Sequence, residues 1–311
     1  MTSNLDINKY NGGSTGLNSE KVICEDGLIV NIDAEIKNIK LTIQPQVVAS
    51  LLNLNDGSSA SFEQLSNLIK ADQNMSTTIL KAANSSFYSR GNQVASLQHA
   101  IAMLGFRVVR SLAMAANSRS LFETGKYSRF QRYVWKHSTA TSVICKELAR
   151  KMGRADLEEE AFVAGLLHDI GKVVMNAIDR RKFISVIDMV VEENISFPVA
   201  EERVFGVSHM TVGMKAAKEW KLPELYEKIF NQHENFTGDL VEDNMLLYIV
   251  SYGNYLAKKY GYGHYSSQDD IDGAKLEEKL KLGQENLVYF KENFKSAIED
   301  DEFFKFVNRL I

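Results

Sequence analysis

Four histidines of this chain fall at positions where a helical stripe would otherwise be apolar. Between Phe130 and Met152 the inward spacing runs Phe130, Val134, His137, Thr141, Ile144, Leu148, in steps of three and four, which puts His137 on a core-facing helix face. The same reading sets His209 with Val212, Ala216 and Trp220, and His233 with Tyr226 and Ile229. Asn254 shares a stripe with Leu247, Val250 and Ala257, and the apolar run from Ala161 to Leu167 delivers His168 and Asp169 at its end. A lone inward histidine is ordinarily a hydrogen-bonded core residue. Four imidazoles, a carboxylate and a carboxamide buried separately would each carry their own desolvation cost, so the spacing predicts that they converge on one site. Imidazole with carboxylate is the ligand set of zinc, iron or manganese, and such a site can activate a bound water. A hydrogen-bonded polar cluster without metal satisfies the same spacing, and both readings stand. His99 and His264 lie off the pattern.

The elements that must position these groups are helical. The spacing predicts helices over 46–54, 74–84, 96–104 and 107–121, with another opened by a capping box at Ser61–Gln64, in which the Ser and Gln side chains each satisfy an orphan N–H. After a boundary candidate at Phe122–Ser128 come a long helix over 130–152, ended by Gly153, and helices over 157–167, 182–194, 198–205, 208–220, 223–232 and 244–260. Pro198 and Pro223 sit where a first helical turn begins. Residues 1–35 read as a partly mobile extension with one β-like run, Leu28–Ile32. The stretch from 263 carries Leu287, Tyr289, Phe290, Phe294, Phe303, Phe304 and Phe306, an aromatic load that implies docking onto the body.

Composition narrows the class. The 311 residues suggest about two domains, and 45% hydrophobic against 24% charged residues is enough for a core. Three prolines and 19 glycines suit long helices and argue against a barrel with a turn every ten residues or so. The net charge of −4 shows no dense basic stripe, so nucleic acid is not the expected partner. Cys24 and Cys145 cannot form a disulfide framework. No run reaches the ~20 apolar residues of a spanning helix, Arg107 and Arg110 breaking the longest candidate, and the N-terminus has no apolar signal core. The expectation is a soluble, cytoplasmic, all-α protein without a membrane partner.

The run Gly165-Leu-Leu-His-Asp-Ile-Gly-Lys172, with Trp135-Lys-His-Ser138 before it, resembles the HD superfamily of metal-dependent phosphohydrolases. Upstream, Leu80-Lys-Ala-Ala-Asn-Ser-Ser-Phe-Tyr88 and Val94-Ala-Ser-Leu-Gln-His-Ala-Ile-Ala-Met-Leu-Gly105 resemble the HDOD family, the HD-related output domain. Glu202, Gly206-Val-Ser-His209, Gly213 and Trp220-Lys-Leu-Pro223 continue the likeness, which covers roughly residues 38–260. The resemblance implies a two-lobed multi-helical bundle: an N-terminal lobe over 36–125, an HD-like lobe over 126–262, and C-terminal helices over 263–311 packed on the body.

Carried over position by position, the resemblance places metal ligands at His137, His168, Asp169, His209 and His233, with Lys172 matching the lysine that follows the HD pair in active relatives. Two departures weigh against catalysis. HD hydrolases close the site with an Asp on the last core helix, where this chain has Asn254; and Gln232-His-Glu234 is followed by no Gly-Tyr-Pro, unlike the cyclic-di-GMP hydrolases of the superfamily. An amide in place of a carboxylate removes one negative charge that would hold a cation. The resemblance therefore implies a regulatory signalling module acting through a protein partner. A divalent transition metal (iron, zinc or manganese) stays open, as does a nucleotide ligand. The alternative is a metal-dependent phosphohydrolase acting on a nucleotide or cyclic dinucleotide. For the partner surface the residues offered are 84–90 and 105–112, segments that inter-lobe packing would explain equally.

Overall fold

A computed structural model describes residues 22–23, 29–30, 32–38, 45–54, 58–85, 88, 94–122, 131–235, 245–264, 266, 272–300 and 304–305. Two two-residue strands, β1 (Val22–Ile23) and β2 (Ile29–Val30), pair antiparallel; the remaining described elements are helices, so the all-α expectation holds. Helix α1 (Ile32–Asn38) packs on helices of the second lobe. The first lobe comprises α2 (Pro45–Asn53), α3 (Ser59–Ala71), α4 (Gln73–Ala83), α5 (Leu97–Leu104) and α6 (Phe106–Phe122), which pack on one another. A π-helical turn, Gln131–Trp135, leads into α7 (Lys136–Lys151). Then follow α8 (Glu158–Leu167), α9 (Ile170–Ile178), α10 (Arg180–Glu193), α11 (Phe197–Phe205), α12 (His209–Glu219), α13 (Glu224–Gln232) and α14 (Met245–Tyr260). Helices α15 (Gly273–Lys279), α16 (Gln284–Val288) and α17 (Phe294–Asp300) close the described chain.

Short polar side chains set the helix starts. Asp72 Oδ1 accepts from the N–H groups of Asn74 and Met75 to open α4, and Asp179 does the same for α10 through Arg181 and Lys182. Helix α3 corrects the predicted capping box. Its cap is Ser58, whose hydroxyl oxygen accepts from Ser61 N–H at 3.1 Å. Ser61 therefore lies inside the helix and is buried, because Ser58 already holds the extended backbone a cap requires. A further helix, α9, was not marked by the spacing, and it begins directly after the His168–Asp169 pair. The boundary candidate falls largely outside the described residues, since α6 ends at Phe122 and description resumes at 131.

The second lobe is built on α7, which packs along α8 and α14, while α9 packs on α10 and α12. The α9–α12 crossing is a backbone contact. A Cβ on Gly171 would collide with the carbonyl of His209 and the backbone N of Gly213, so glycine at 171 is what lets His209 come up beside Asp169. The apolar stretch Glu158–Ile178 is long enough by composition to cross a membrane, yet its window is 89% buried within the protein. The end of the stretch read as an extension, residues 1–35, does join the body: Ile32 is buried, Asp33 pairs with Lys215 at 3.2 Å, and with Ile36 buried just beyond it α1 docks on α12. The C-terminal aromatics dock as their number implied: Phe290, Phe294 and Phe304 are buried, while Phe303 and Phe306 lie outside the described residues.

Candidate metal centre

The predicted stripes meet. His137 comes from the first turn of α7, His168 and Asp169 from the junction of α8 and α9, His209 from the start of α12, and His233 from the residue after α13. All five are at most 2% exposed. Their donor atoms form two groups that share Asp169: His137, His168 and Asp169 in one, and Asp169, His209, His233 and Glu234 in the other, the atoms of each lying within 4.8 Å of one another. Asp169 Oδ2 faces the Nε2 atoms of His137 (3.6 Å) and His168 (3.5 Å), and its Oδ1 faces those of His209 (3.2 Å) and His233 (3.4 Å). One carboxylate thus spans both halves.

What aims the rings is the far side of each imidazole. His137 Nδ1 lies 2.6 Å from the Tyr262 carbonyl, His168 Nδ1 2.7 Å from the Gly165 carbonyl, and His233 Nδ1 3.1 Å from the carbonyls of Ile229 and Phe230. A carbonyl only accepts, so in these rings Nδ1 carries the proton and Nε2 offers its lone pair inward. Burial pushes the His137 pKa down to about 4 and that of His168 well below the ordinary value, so both rings are neutral at pH 7. Their Nε2 atoms nevertheless stand 3.1 Å apart with no proton between them. Two facing lone pairs at that separation repel, and a cation bound by both removes the repulsion. At ordinary metal–imidazole lengths of about 2.1 Å, adjacent ligand nitrogens sit roughly 3.0–3.4 Å apart, so the donor set fits a divalent ion.

His209 is different. Its Nδ1 and its backbone N–H both donate to Glu201 Oε2, at 2.6 and 2.7 Å. Burial works against charging this ring, but the Glu201 carboxylate outweighs it and lifts the pKa to about 9. Burial likewise opposes ionising Asp169, and Lys172 beside it overcomes that, holding the carboxyl well below the usual range. Lys172 Nζ donates to Asp169 Oδ2 at 2.8 Å and stands 3.9 Å from Glu234 Oε1 and 4.3 Å from the centre of the Phe197 ring. Lys258 Nζ donates to the same Glu234 oxygen at 2.9 Å. Without metal, three carboxylates thus face two ammonium groups and one imidazolium.

The structure therefore brings together His137, His168, Asp169, His209, His233 and Lys172. Asn254 is fully buried on α14, and among the described residues neither its Oδ1 nor its Nδ2 has a hydrogen-bond partner, so no hydrogen bond ties it to the cluster. Sequence reasoning missed Glu201, Glu234 and Lys258. Glu201 had a signal, since it shares the buried stripe Phe197, Ala200, Glu201, Phe205; the sequence reading had singled out its neighbour Glu202 instead. Of the offered partner surface, Phe106 and residues 109–112 are buried, while Gly105, Arg107 and Val108 are half-buried. Arg107 reaches the Asp156 carbonyl and Arg110 bonds the Leu54 carbonyl and Glu160, tying α6 to α8. Residues 86–87 and 89–90 lie outside the described residues.

The chain resembles known proteins in fold and sequence. An HDOD protein of unknown function from Geobacter sulfurreducens is 25% identical, with a TM-score of 0.69 over 90% of this chain and 96% of that one. A protein from Marinobacter aquaeolei VT8 whose name proposes signal transduction shares the fold at 21% identity and a TM-score of 0.68, over 88% of this chain and 64% of the other. A Shewanella amazonensis SB2B protein whose name proposes phosphohydrolase activity does so at 19% and 0.64, over 90% and 98%. An uncharacterized protein of Treponema pallidum (strain Nichols) is 24% identical over 235 residues, 72% of this chain but 45% of the relative, so the chain spans less than half of that protein's length. The model of the HDOD domain matches residues 41–236, and with more than half of its length so matched, around a buried His/Asp/Glu cluster that could hold a metal, this chain belongs to the HDOD family.

Proposed function

We propose that the protein is a regulatory HDOD module whose HD-type centre binds a divalent transition metal as a structural or sensing element, and that it passes its signal to a protein partner without turning over a substrate. The ligands in this reading are His137, His168, Asp169, His209 and His233, with Glu234 added, and Lys172 as a charge partner. The observation that carries it is closure. Every one of these side chains is at most 4% exposed, whereas a hydrolase must admit a phosphodiester to the ion. Lys172 and Lys258 also already neutralise Asp169 and Glu234, and Asn254 supplies no charge. Iron, zinc and manganese all suit imidazole with carboxylate.

A second reading, phosphohydrolysis of a nucleotide or cyclic dinucleotide, draws on the same donor set. Bound there, a divalent ion would supply Lewis acidity toward water and phosphate oxygen. One experiment separates the two: metal content by elemental analysis, then phosphodiesterase assays on bis(p-nitrophenyl) phosphate and cyclic dinucleotides with added manganese, iron or zinc. The regulatory reading expects bound metal and no turnover in the wild type. Turnover by the wild type that chelation and His168→Ala abolish would overturn it. Activity gained only in Asn254→Asp would support it and place the loss at that one carboxylate.

A further inference from the structure

A cleft of about 840 Å³ opens between the lobes, far from the metal centre. One wall is α2, which turns Gln46 and Asn53 into it; a second is α3, which turns in Gln64 and Asn67; the third is Trp220 with Lys221, just past the end of α12. Both helices present the residues at i, i+3, i+4 and i+7 to the cleft, so each gives one whole face. A solvated helix face ordinarily carries charge. These two faces carry none, and Lys221 is the one charged residue among the described residues lining the cleft.

The lining has a specific chemistry. Four carboxamides offer paired donors and acceptors in planar groups. Asn53 Nδ2 is taken by the Ala49 carbonyl at 2.9 Å, whereas the Gln46, Gln64 and Asn67 side chains are exposed and make no side-chain hydrogen bond among the described residues. A carboxamide meets the edge of a purine with two hydrogen bonds, adenine N6 and N7 being the best match, and an indole offers a face for a base to stack on. Lys221 holds a left-handed backbone, φ 55°, with its N–H bonded to the Lys218 carbonyl, so its side chain starts from a fixed point beside Trp220. The volume lies within the range of small-molecule sites. An apolar helix laid in the cleft would bury the amides against carbon and leave them unpaired.

We infer that this inter-lobe cleft binds a purine nucleotide, its base stacked on Trp220 and read at its edge by the Gln64, Asn67 and Gln46 carboxamides, its phosphate met by Lys221. The site is distinct from the metal centre. His209 opens α12 and Trp220 follows its last residue, eleven residues on, or roughly 16 Å along the axis. The inference does not depend on the function proposed for that centre.

The test is calorimetric titration of the full chain, in excess chelator, with AMP, adenosine, GMP and UMP. Saturable 1:1 binding of AMP in the micromolar range is expected, with UMP at least tenfold weaker. Gln64 and Lys221 are exposed, so Gln64→Ala and Lys221→Met keep the fold. Gln64→Ala is expected to weaken AMP and adenosine alike by about tenfold, and Lys221→Met to weaken AMP but not adenosine. No saturable heat with either purine nucleotide at millimolar concentration would overturn the inference. So would equal affinity for AMP and UMP, or binding that neither variant changes. Binding seen only when metal is restored would assign the nucleotide to the metal centre and overturn it as well.

Discussion

The two lobes solve opposite packing problems with the same helices. In α2–α6 the interior is mostly carbon: Leu51, Leu65, Ile69, Ile79, Ala82 and Leu112 are fully buried, with Arg110, Ser111 and Asn117 among the few polar residues inside. In α7–α14 the centre of the lobe is polar, with four imidazoles, Asp169, Glu201, Glu234, Lys172 and Lys258 all at most 5% exposed. Burying that many ionisable groups costs more than burying leucines unless each is paired. The difference teaches where selection for a site acts: the first lobe rests mainly on apolar area, whereas the second must also satisfy a charge balance at its centre.

The comparison can be broken hardest at Asp169. Asp169→Asn leaves the buried Lys172 ammonium without its partner, and losing one member of a buried pair costs about 3–5 kcal/mol. Urea denaturation should show that loss, and the double variant Asp169→Asn/Lys172→Met should recover much of it. If Asp169→Asn unfolds at the wild-type midpoint, the second lobe does not depend on its charge balance. In the first lobe the matching insult is Leu65→Ala, a cavity substitution costing about 2–5 kcal/mol. Metal stoichiometry should survive it unchanged, whereas Asp169→Asn should lower it; elemental analysis of both proteins decides.

A pH series sharpens the contrast further. In metal-free protein His137 titrates near 4 folded and 6.5 unfolded. The unfolded chain therefore takes the proton first, and stability falls as pH drops from about 6.5 toward 4, on the order of 3 kcal/mol for this ring. His209 runs the other way, its folded pKa of about 9 against 6.5 unfolded, so its contribution is complete below 6.5 and is lost as pH rises toward 9. Urea midpoints in chelator should thus peak near pH 6.5 and fall on both sides; a flat profile would remove the electrostatic account of the second lobe. The smallest effect lies in the first lobe. Ser58→Ala removes the α3 cap and should cost about 1 kcal/mol, with metal content untouched, whereas Ser61→Ala leaves that cap in place.

How much of this was legible in the chain depends on how local the cause was. The helices of the second lobe were readable because their apolar stripes repeat every three or four residues, and His137, His209 and His233 stood out as polar residues on those stripes. Helix α9 was missed because Ile170–Ile178 follows another apolar run without a turn signal between them. Glu201 was missed because two adjacent glutamates differ by one helical step of about 100°, and only the docking of Phe197 and Phe205 decides which points inward. Glu234 follows His233 outside any helix, so no periodicity points to it.

The sequence by itself determined the helical class and the inward direction of the histidines, because helix period and burial preference act over a few residues, and it placed Lys172 three residues past the HD pair. Only the tertiary structure decided the register in which the separate segments carrying the site meet. The glycine contact at α9–α12 sets His209 against Asp169, and the carbonyls of Gly165, Ile229 and Tyr262 turn each Nε2 inward. The same packing buried the Asn254 carboxamide with no hydrogen-bond partner among the described residues and put two uncharged helix faces across an open cleft from Trp220. Those outcomes depend on distances between residues far apart in the chain, which local spacing does not encode.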